Sequence, residues 1–202
     1  MNALSLDLFE ALIEAGEAIK ADNSVRVVVL SGAGKAFCAG LDMELMMKGG
    51  APDLNERTHG LCNLFQQAAW VWHEVPVPVI AAVHGTCYGG GLQLMTGADI
   101  RYIHPETKLS IMEMRWGIVP DMSGTQLWSA FVREDIIREL TYTARVFSGT
   151  EAGEYGFATG VCDDPLAAAQ ATAEQIANKN PHAIRAAKRL INNQRQPDFA
   201  AG

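Results

Sequence analysis

The segment His84-Gly85-Thr86-Cys87-Tyr88-Gly89-Gly90-Gly91-Leu92-Gln93 constrains this chain more than any other. An apolar run, Pro78-Val79-Ile80-Ala81-Ala82-Val83, leads into it and reads as a buried strand. The residues that follow, Leu92-Gln93-Leu94-Met95, read as a helix. Three glycines at a strand-to-helix turn leave bare backbone, and the first N–H groups of the helix have no intrahelical acceptor. Such a turn can hold negative charge developing on an oxygen. A tight turn that packs a helix closely is the plainer use of a Gly-Gly-Gly triplet, and the triplet alone means no more than that. A second turn of the same kind lies upstream. Val25-Arg26-Val27-Val28-Val29-Leu30 reads as a strand, followed by Ser31-Gly32-Ala33-Gly34-Lys35-Ala36-Phe37-Cys38-Ala39-Gly40-Leu41-Asp42 and then a helix.

The glycine turns need a packed core beneath them, and the chain can supply one. It has 202 residues, 49% hydrophobic and 19% charged, which fits one globular domain and argues against disorder. The formal net charge of -7 disfavours nucleic acid or an anionic membrane as a partner. An anionic ligand must be met by local donors. Cys38, Cys62, Cys87 and Cys162 form no Cys-x-x-Cys pair and show no metal-ligand spacing with the histidines. Cys38 and Cys87 stand in the two turns, but no local His/Asp arrangement would activate a thiol there, and small apolar packing is the better reading. Reduced thiols and a cytoplasmic location are expected. Met1 to Asp7 lacks the basic region of a secretory signal, and no apolar run approaches the ~20 residues of a membrane span.

Helices are expected over Leu4 to Ala21, with Leu8, Leu12, Ala15 and Ile19 on one stripe, and over His59 to Glu74. Gly49 to Pro52 reads as a loop. Asp99 to Ile103 and Lys108 to Ile111 read as strands around the turn His104-Pro105-Glu106. Helices follow around Gly124 to Phe131, Asp135 to Tyr142, and Thr150 to Tyr155 with Thr150 as N-cap. Pro165 to Asn178 and Pro181 to Asn193 are helices opened by proline. Strands alternate with helices first and helices dominate later, an α/β layout with a helical C-terminal part.

The two turns together resemble the crotonase family, the enoyl-CoA hydratase/isomerase superfamily. The resemblance is carried by Lys35 to Asp42, Val79 to Gly91, Gly97-Ala98-Asp99-Ile100-Arg101, Glu113, Trp116-Gly117-Ile118-Val119-Pro120-Asp121 and Gly124-Thr125-Gln126, and it covers roughly residues 1 to 193. It implies a crotonase-like ββα spiral core, with residues 1–202 forming a single domain that lacks the usual N-terminal strands and C-terminal helices. It implies an acyl-CoA substrate, no metal and no redox cofactor, with CoA arriving as part of the substrate. It also implies a homotrimer or a dimer of trimers.

A thioester activates its neighbouring carbon by becoming an enolate, whose oxygen needs donors fixed in advance. The resemblance assigns that oxyanion hole to the N–H groups of Leu41 and Gly90, and substrate contacts to Lys35, Ala39 and Asp42. A solvated loop lysine is the plain alternative for Lys35. The catalytic glutamate falls on Glu113, which stands among Ile111, Met112 and Met114. Apolar surroundings raise a carboxyl toward neutrality and suit it to general-base work. A surface glutamate at a strand end is the alternative from the residues alone.

Gln93 departs from the hydratases, which carry a second glutamate there. An amide can orient water but cannot take its proton. Asp121, eight residues after Glu113, matches an aspartate that the family's dienoyl-CoA isomerases place at that spacing, although those enzymes also carry an aspartate where Gln93 stands. A helix N-terminal role beside Ser123-Gly124 is the alternative for Asp121. Gly34-Lys35 is no nucleotide P-loop, because Ala36 follows the lysine. Gly32-Ala33-Gly34 is no dinucleotide fingerprint, because Phe37 occupies the third glycine position. Trp70, Trp72, Trp116 and Trp128 are expected in the core or a pocket wall, and Asp99 and Arg101 as a structural pair. The expected activity is double-bond isomerisation of an unsaturated acyl thioester. Hydration, a non-catalytic acyl-CoA-binding role, and hydrolase or dehalogenase chemistry are the rivals.

Overall fold

Ser5 opens the first helix, α1 (Leu6–Ala21), by accepting a hydrogen bond from the Leu8 N–H at 3.3 Å. The computed structural model describes residues 1–42, 45 and 53–193. The expected loop at 49–52, and all of the helix expected after Asp42 except Leu45, lie outside these residues. The buried seam of α1 is Phe9, Ile13 and Gly16. Leu8, Leu12 and Ile19 flank it half-buried, and Ala15 is exposed, so the expected stripe is displaced by one residue. The displacement follows from contact with α2 (Leu64–Glu74): a Cβ on Gly16 would stand 2.3 Å from Val71 Cγ2. Helix α2 starts later than its apolar pattern, because Asn63 and Gln66 form a reciprocal capping box there.

Four parallel strands form the first sheet, in the order β1 (Val28–Ser31), β2 (Val79–Val83), β4 (Ile100–Ile103) and β7 (Gly160–Val161). Strand β2 is buried along its whole length, as its unbroken apolar run predicts. Val79, Ala81 and Val83 face the main core, while Ile80 and Ala82 face Ala169 and Ala173 of α7 (Pro165–Ala177). Those alanines are small, which lets the helix lie close to the sheet.

The second sheet runs β3 (Thr86–Tyr88), β5 (Lys108–Ser110), β6 (Phe147–Ser148), parallel then antiparallel. Strand β3 lies inside the glycine segment, where sequence alone shows only a turn before α3 (Gly90–Thr96). The turn at His104 to Glu106 does not join a hairpin: β4 belongs to the first sheet and β5 to the second. The first three strands of this sheet, β1, β2 and β4, each hand the chain on to the second sheet. After β1 this is a single bridge, Cys38 to Cys87; after β2 it is β3 and α3; after β4 it is β5 and the 3-10 turn Glu113–Trp116. The two glycine turns follow β1 and β2, neighbouring strands of the first sheet. They meet because both chain segments cross into the second one.

The later chain is mainly helical, with α4 (Gly124–Trp128), α5 (Glu134–Thr143), α6 (Gly149–Tyr155), α7 and α8 (Pro181–Asn193). Helix α6 is capped by Ser148, not Thr150: Ser148 Oγ accepts from the Glu151 N–H, and Glu151 reaches back to the Ser148 N–H. Lys188 on α8 is 7% exposed and donates to Trp72 O, Val77 O and Asp99 Oδ2. Asp99 thus takes Lys188 as an ion-pair partner, while Arg101 donates to Phe157 O and Ala98 O and stacks on Phe131.

Candidate active site

The end of the Cys38 bridge, the start of α3 and the 3-10 turn enclose a cavity of about 850 Å³. Ala39, Leu41, Gly90, Gln93, Glu113 and Asp121 all line it. Lys35 and Asp42 are not among its described lining residues. Lys35 is exposed, and the Asp42 N–H donates to Leu4 O. The walls are otherwise apolar, with Leu45, Phe65, Met112 and Met122 inside and Leu54, Trp116 and Val119 partly open to solvent. Of the four tryptophans, Trp72 and Trp128 are core, Trp116 is wall, and Trp70 stacks on His73.

Glu113 is 6% exposed. Burial raises its carboxyl above the ordinary glutamate range. Its own amide, Gln93 and the Met112 amide hold it down, and the charge of Asp121 pushes it up. Gln93 Nε2 donates to Glu113 Oε1 at 2.7 Å, and Gln93 Oε1 accepts from the Gly124 N–H at 3.1 Å. Glu113 Oε2 is buried and has no hydrogen-bond partner. Gly89, at φ +50°, keeps space beside this carboxylate, since a Cβ there would stand 3.3 Å from Oε1. The Asp121 carboxyl is also raised by burial.

The two backbone donors, Leu41 and Gly90, line the same cavity. The Leu4–Leu41 bridge is made by Leu4 N–H to Gly40 O and Asp42 N–H to Leu4 O. Both bonds flank Leu41, so its own N–H is directed away from Leu4. Neither Leu41 N nor Gly90 N donates to a described residue. Among the described residues no three His, Cys, Asp or Glu side chains gather as a metal would require. Burial pushes the Cys38 thiol up to about 11 and the Cys87 thiol well above its usual value, which leaves both as packing groups.

Sequence reasoning overlooked Gly124 as a donor to Gln93. It lies in a matched motif and opens a helix, but only the folded chain shows that its amide meets a side chain from α3. Phe65 and Met122 carry no signal of their own as cavity wall.

Residues 1–201 match the sequence profile of the Enoyl-CoA hydratase/isomerase family. The chain belongs to that family. The mitochondrial Delta(3,5)-Delta(2,4)-dienoyl-CoA isomerase of Mus musculus is 34% identical over 93% of this chain, and the match spans 61% of that protein. The chain therefore covers about three fifths of that relative's length. The peroxisomal Delta(3,5)-Delta(2,4)-dienoyl-CoA isomerase of Arabidopsis thaliana is 32% identical over 100% of this chain and 77% of its own. The mitochondrial methylglutaconyl-CoA hydratase of Mus musculus is 31% identical over 100% of this chain and 65% of its own. Among solved structures, an enoyl-CoA hydratase/isomerase from Mycobacterium paratuberculosis superposes with a TM-score of 0.88 at 28% identity, covering 99% of this chain and 80% of that one. The crotonase-like core and the helical C-terminal part are thus those of the enoyl-CoA hydratase/isomerase fold.

Proposed function

We propose that this family member acts on unsaturated acyl-CoA thioesters through an enolate, and that it moves a double bond in preference to adding water. The observation that carries the preference is the Gln93 contact. The residue bonded to Glu113 is an amide at 2.7 Å, not a second carboxylate, while the other carboxyl among the described lining residues belongs to Asp121.

In this reading the thioester oxygen sits against the N–H groups of Leu41 and Gly90. Glu113 takes a proton from carbon, the C–H electrons move into the thioester, and an enolate forms. A proton then returns at a different carbon, from Asp121 or from Glu113, and the oxygen gives its charge back. Support comes from the Leu41 and Gly90 amides, which have no acceptor among the described residues, the raised carboxyls of Glu113 and Asp121, and the apolar wall that fits an acyl chain. Water addition lacks a second proton acceptor at position 93, because an amide offers none at neutral pH.

The relatives named dienoyl-CoA isomerase favour the same chemistry, and the one named methylglutaconyl-CoA hydratase favours the rival. CoA enters as part of the substrate, with Lys35, Ala39 and Asp42 as contacts. The reading includes a cytoplasmic location and assembly as a homotrimer or dimer of trimers; light scattering that gives a monomer would remove the assembly.

A panel of enoyl- and dienoyl-CoA thioesters, followed by ultraviolet spectra, tests the chemistry directly. Appearance of a conjugated product without loss of unsaturation is the expected result. Rapid hydration of a 2-enoyl-CoA with no isomerisation would overturn it.

A further inference from the structure

A carboxylate that carries a proton between carbons needs a defined oxygen. Its terminal torsion is broad and two-fold, so without a restraint either oxygen can present itself. In Glu113 the two oxygens are not equivalent: Oε1 accepts from Gln93 and Oε2 accepts from nothing. The restraint works only if Gln93 presents its NH₂ end. With its oxygen end against a carboxylate, two acceptors would face each other with no proton between them.

The Gly124 N–H removes that ambiguity. It donates to Gln93 Oε1 at 3.1 Å, so Nε2 is the end left for Glu113. Gln93 is 1% exposed and has no solvent to turn toward. Gly124 also allows the approach, because a Cβ there would stand 2.7 Å from both Gln93 Cγ and Oε1. Ser123, immediately before it, lies at φ 65° and ψ 0°, a left-handed conformation that costs a non-glycine residue about 1–2 kcal/mol. Its Oγ donates to Gln66 O at 3.3 Å, which ties this strained corner to α2. A strained residue held by a side-chain bond, next to the amide that orients Gln93, is a placement that the surrounding fold maintains.

We propose that Gln93, oriented by Gly124 and Ser123, is a positioning residue that occupies Oε1 of Glu113 and reserves Oε2 as the one oxygen that exchanges protons with substrate. The inference rests on Glu113 being the base, as in the reading above.

Two variants test it. Gln93→Met keeps the length and removes the donor, and Gly124→Ala displaces an intact Gln93. Among the described residues, the titratable groups that share the cavity wall with Glu113 are Asp121 and Tyr88, so Asp121→Asn is run in parallel to separate its charge from the amide's effect. The first readout needs no substrate: ¹³C NMR titration of the Glu113 carboxyl. Gln93 stabilises the charged form, so its loss moves the midpoint upward in Gln93→Met and in Gly124→Ala. The second readout is turnover of a 3,5-dienoyl-CoA. Gln93→Met lowers kcat by roughly 10–100-fold with KM within about twofold, and the acid limb of the kcat/KM profile moves to higher pH.

A Glu113 midpoint that stays put in Gln93→Met overturns the proposal whatever the rate does. So does a pair of variants that melt earlier while kcat and the acid limb hold. Glu113→Gln with full turnover would instead remove the base assignment, and the carboxyl titration distinguishes that failure from a failure of positioning.

Discussion

Cys38 and Cys87 pair as a single parallel bridge, with Cys38 N–H donating to Thr86 O at 3.0 Å and Tyr88 N–H to Cys38 O at 3.1 Å. This contact sets the chain after β1 beside β3, and so puts Leu41 and Gly90 on one cavity. Gly91 makes the approach possible: a Cβ there would stand 2.7 Å from Cys38 Cβ and 2.9 Å from Cys38 O. Gly91→Ala should therefore force the two turns apart. Overpacking at such a contact costs about 1–3 kcal/mol. Thermal unfolding should register this loss, and turnover should fall by more than the folded fraction does. A variant with normal melting and normal kcat would show that the turn spacing is not critical.

Glu113→Gln should separate catalysis from stability. As base, its loss lowers turnover by roughly 10²–10⁴ while ligand binding is kept. Its folded carboxyl is raised from 4.5, so the native state holds the proton more tightly than the unfolded chain does. The stability due to Glu113 is then fully present below 4.5 and is lost as pH rises through the raised value. Glutamine cannot ionise, and its oxygen can still accept from Gln93. The variant should melt higher than wild type at neutral pH, and the difference should vanish in acid. Equal melting at every pH would mean that the carboxyl is not buried in solution.

Much of this architecture was legible in the sequence because local rules and tertiary packing agreed. The run Val79 to Val83 matches β2 residue for residue, and Pro181 to Asn193 matches α8. Glu113, Gln93, Asp121, Leu41 and Gly90 share one cavity, as the matched motifs required. What stayed hidden depends on contacts between distant segments. Strand β3 is three residues long and is a strand because β5 on one side and the Cys38 segment on the other pair with it. Lys108 to Ser110 pairs away from β4 because the corner at His104 changes sheets, which no local pattern records. Ser148 displaced Thr150 as a cap because Glu151 stands at the third position of that helix and completes its box. The donor role of Gly124 needed α3 to be in place first.

The Lys188–Asp99 pair, at 2.8 Å, joins α8 to the start of β4 in the first sheet. Burial lowers the Lys188 pKa, and Asp99 opposes that shift. Its three donors end on Trp72 O, Val77 O and Asp99, so Lys188→Met strands two carbonyls and one carboxylate. Asp99 keeps a bond from the Val79 N–H and its side chain is 28% exposed, which softens the loss. A destabilisation of about 2–4 kcal/mol is expected in denaturant unfolding. Adding Asp99→Asn should cost less in the Lys188→Met background than in wild type, because the unpaired charge is then gone. Additive losses would mean that the two side chains act independently.

Gln93→Glu should turn the chemistry toward hydration. The Gly124 N–H can still donate to the new carboxylate, so position is kept while a proton acceptor is gained. The new carboxylate would lie within hydrogen-bond distance of Glu113, replacing a bond now 2.7 Å long, and such a pair must share a proton. The expected gain is faster hydration of a 2-enoyl-CoA, together with slower isomerisation on a matched chain. Asp121→Asn should hurt isomerisation more than binding, because it removes a carboxyl that lines the cavity with Glu113 and leaves the apolar wall intact. The decisive comparison is the ratio of the two activities in wild type and in each variant. If wild type hydrates rapidly and Asp121→Asn changes neither rate, the isomerase preference fails, and Gln93 instead orients a water that Glu113 activates.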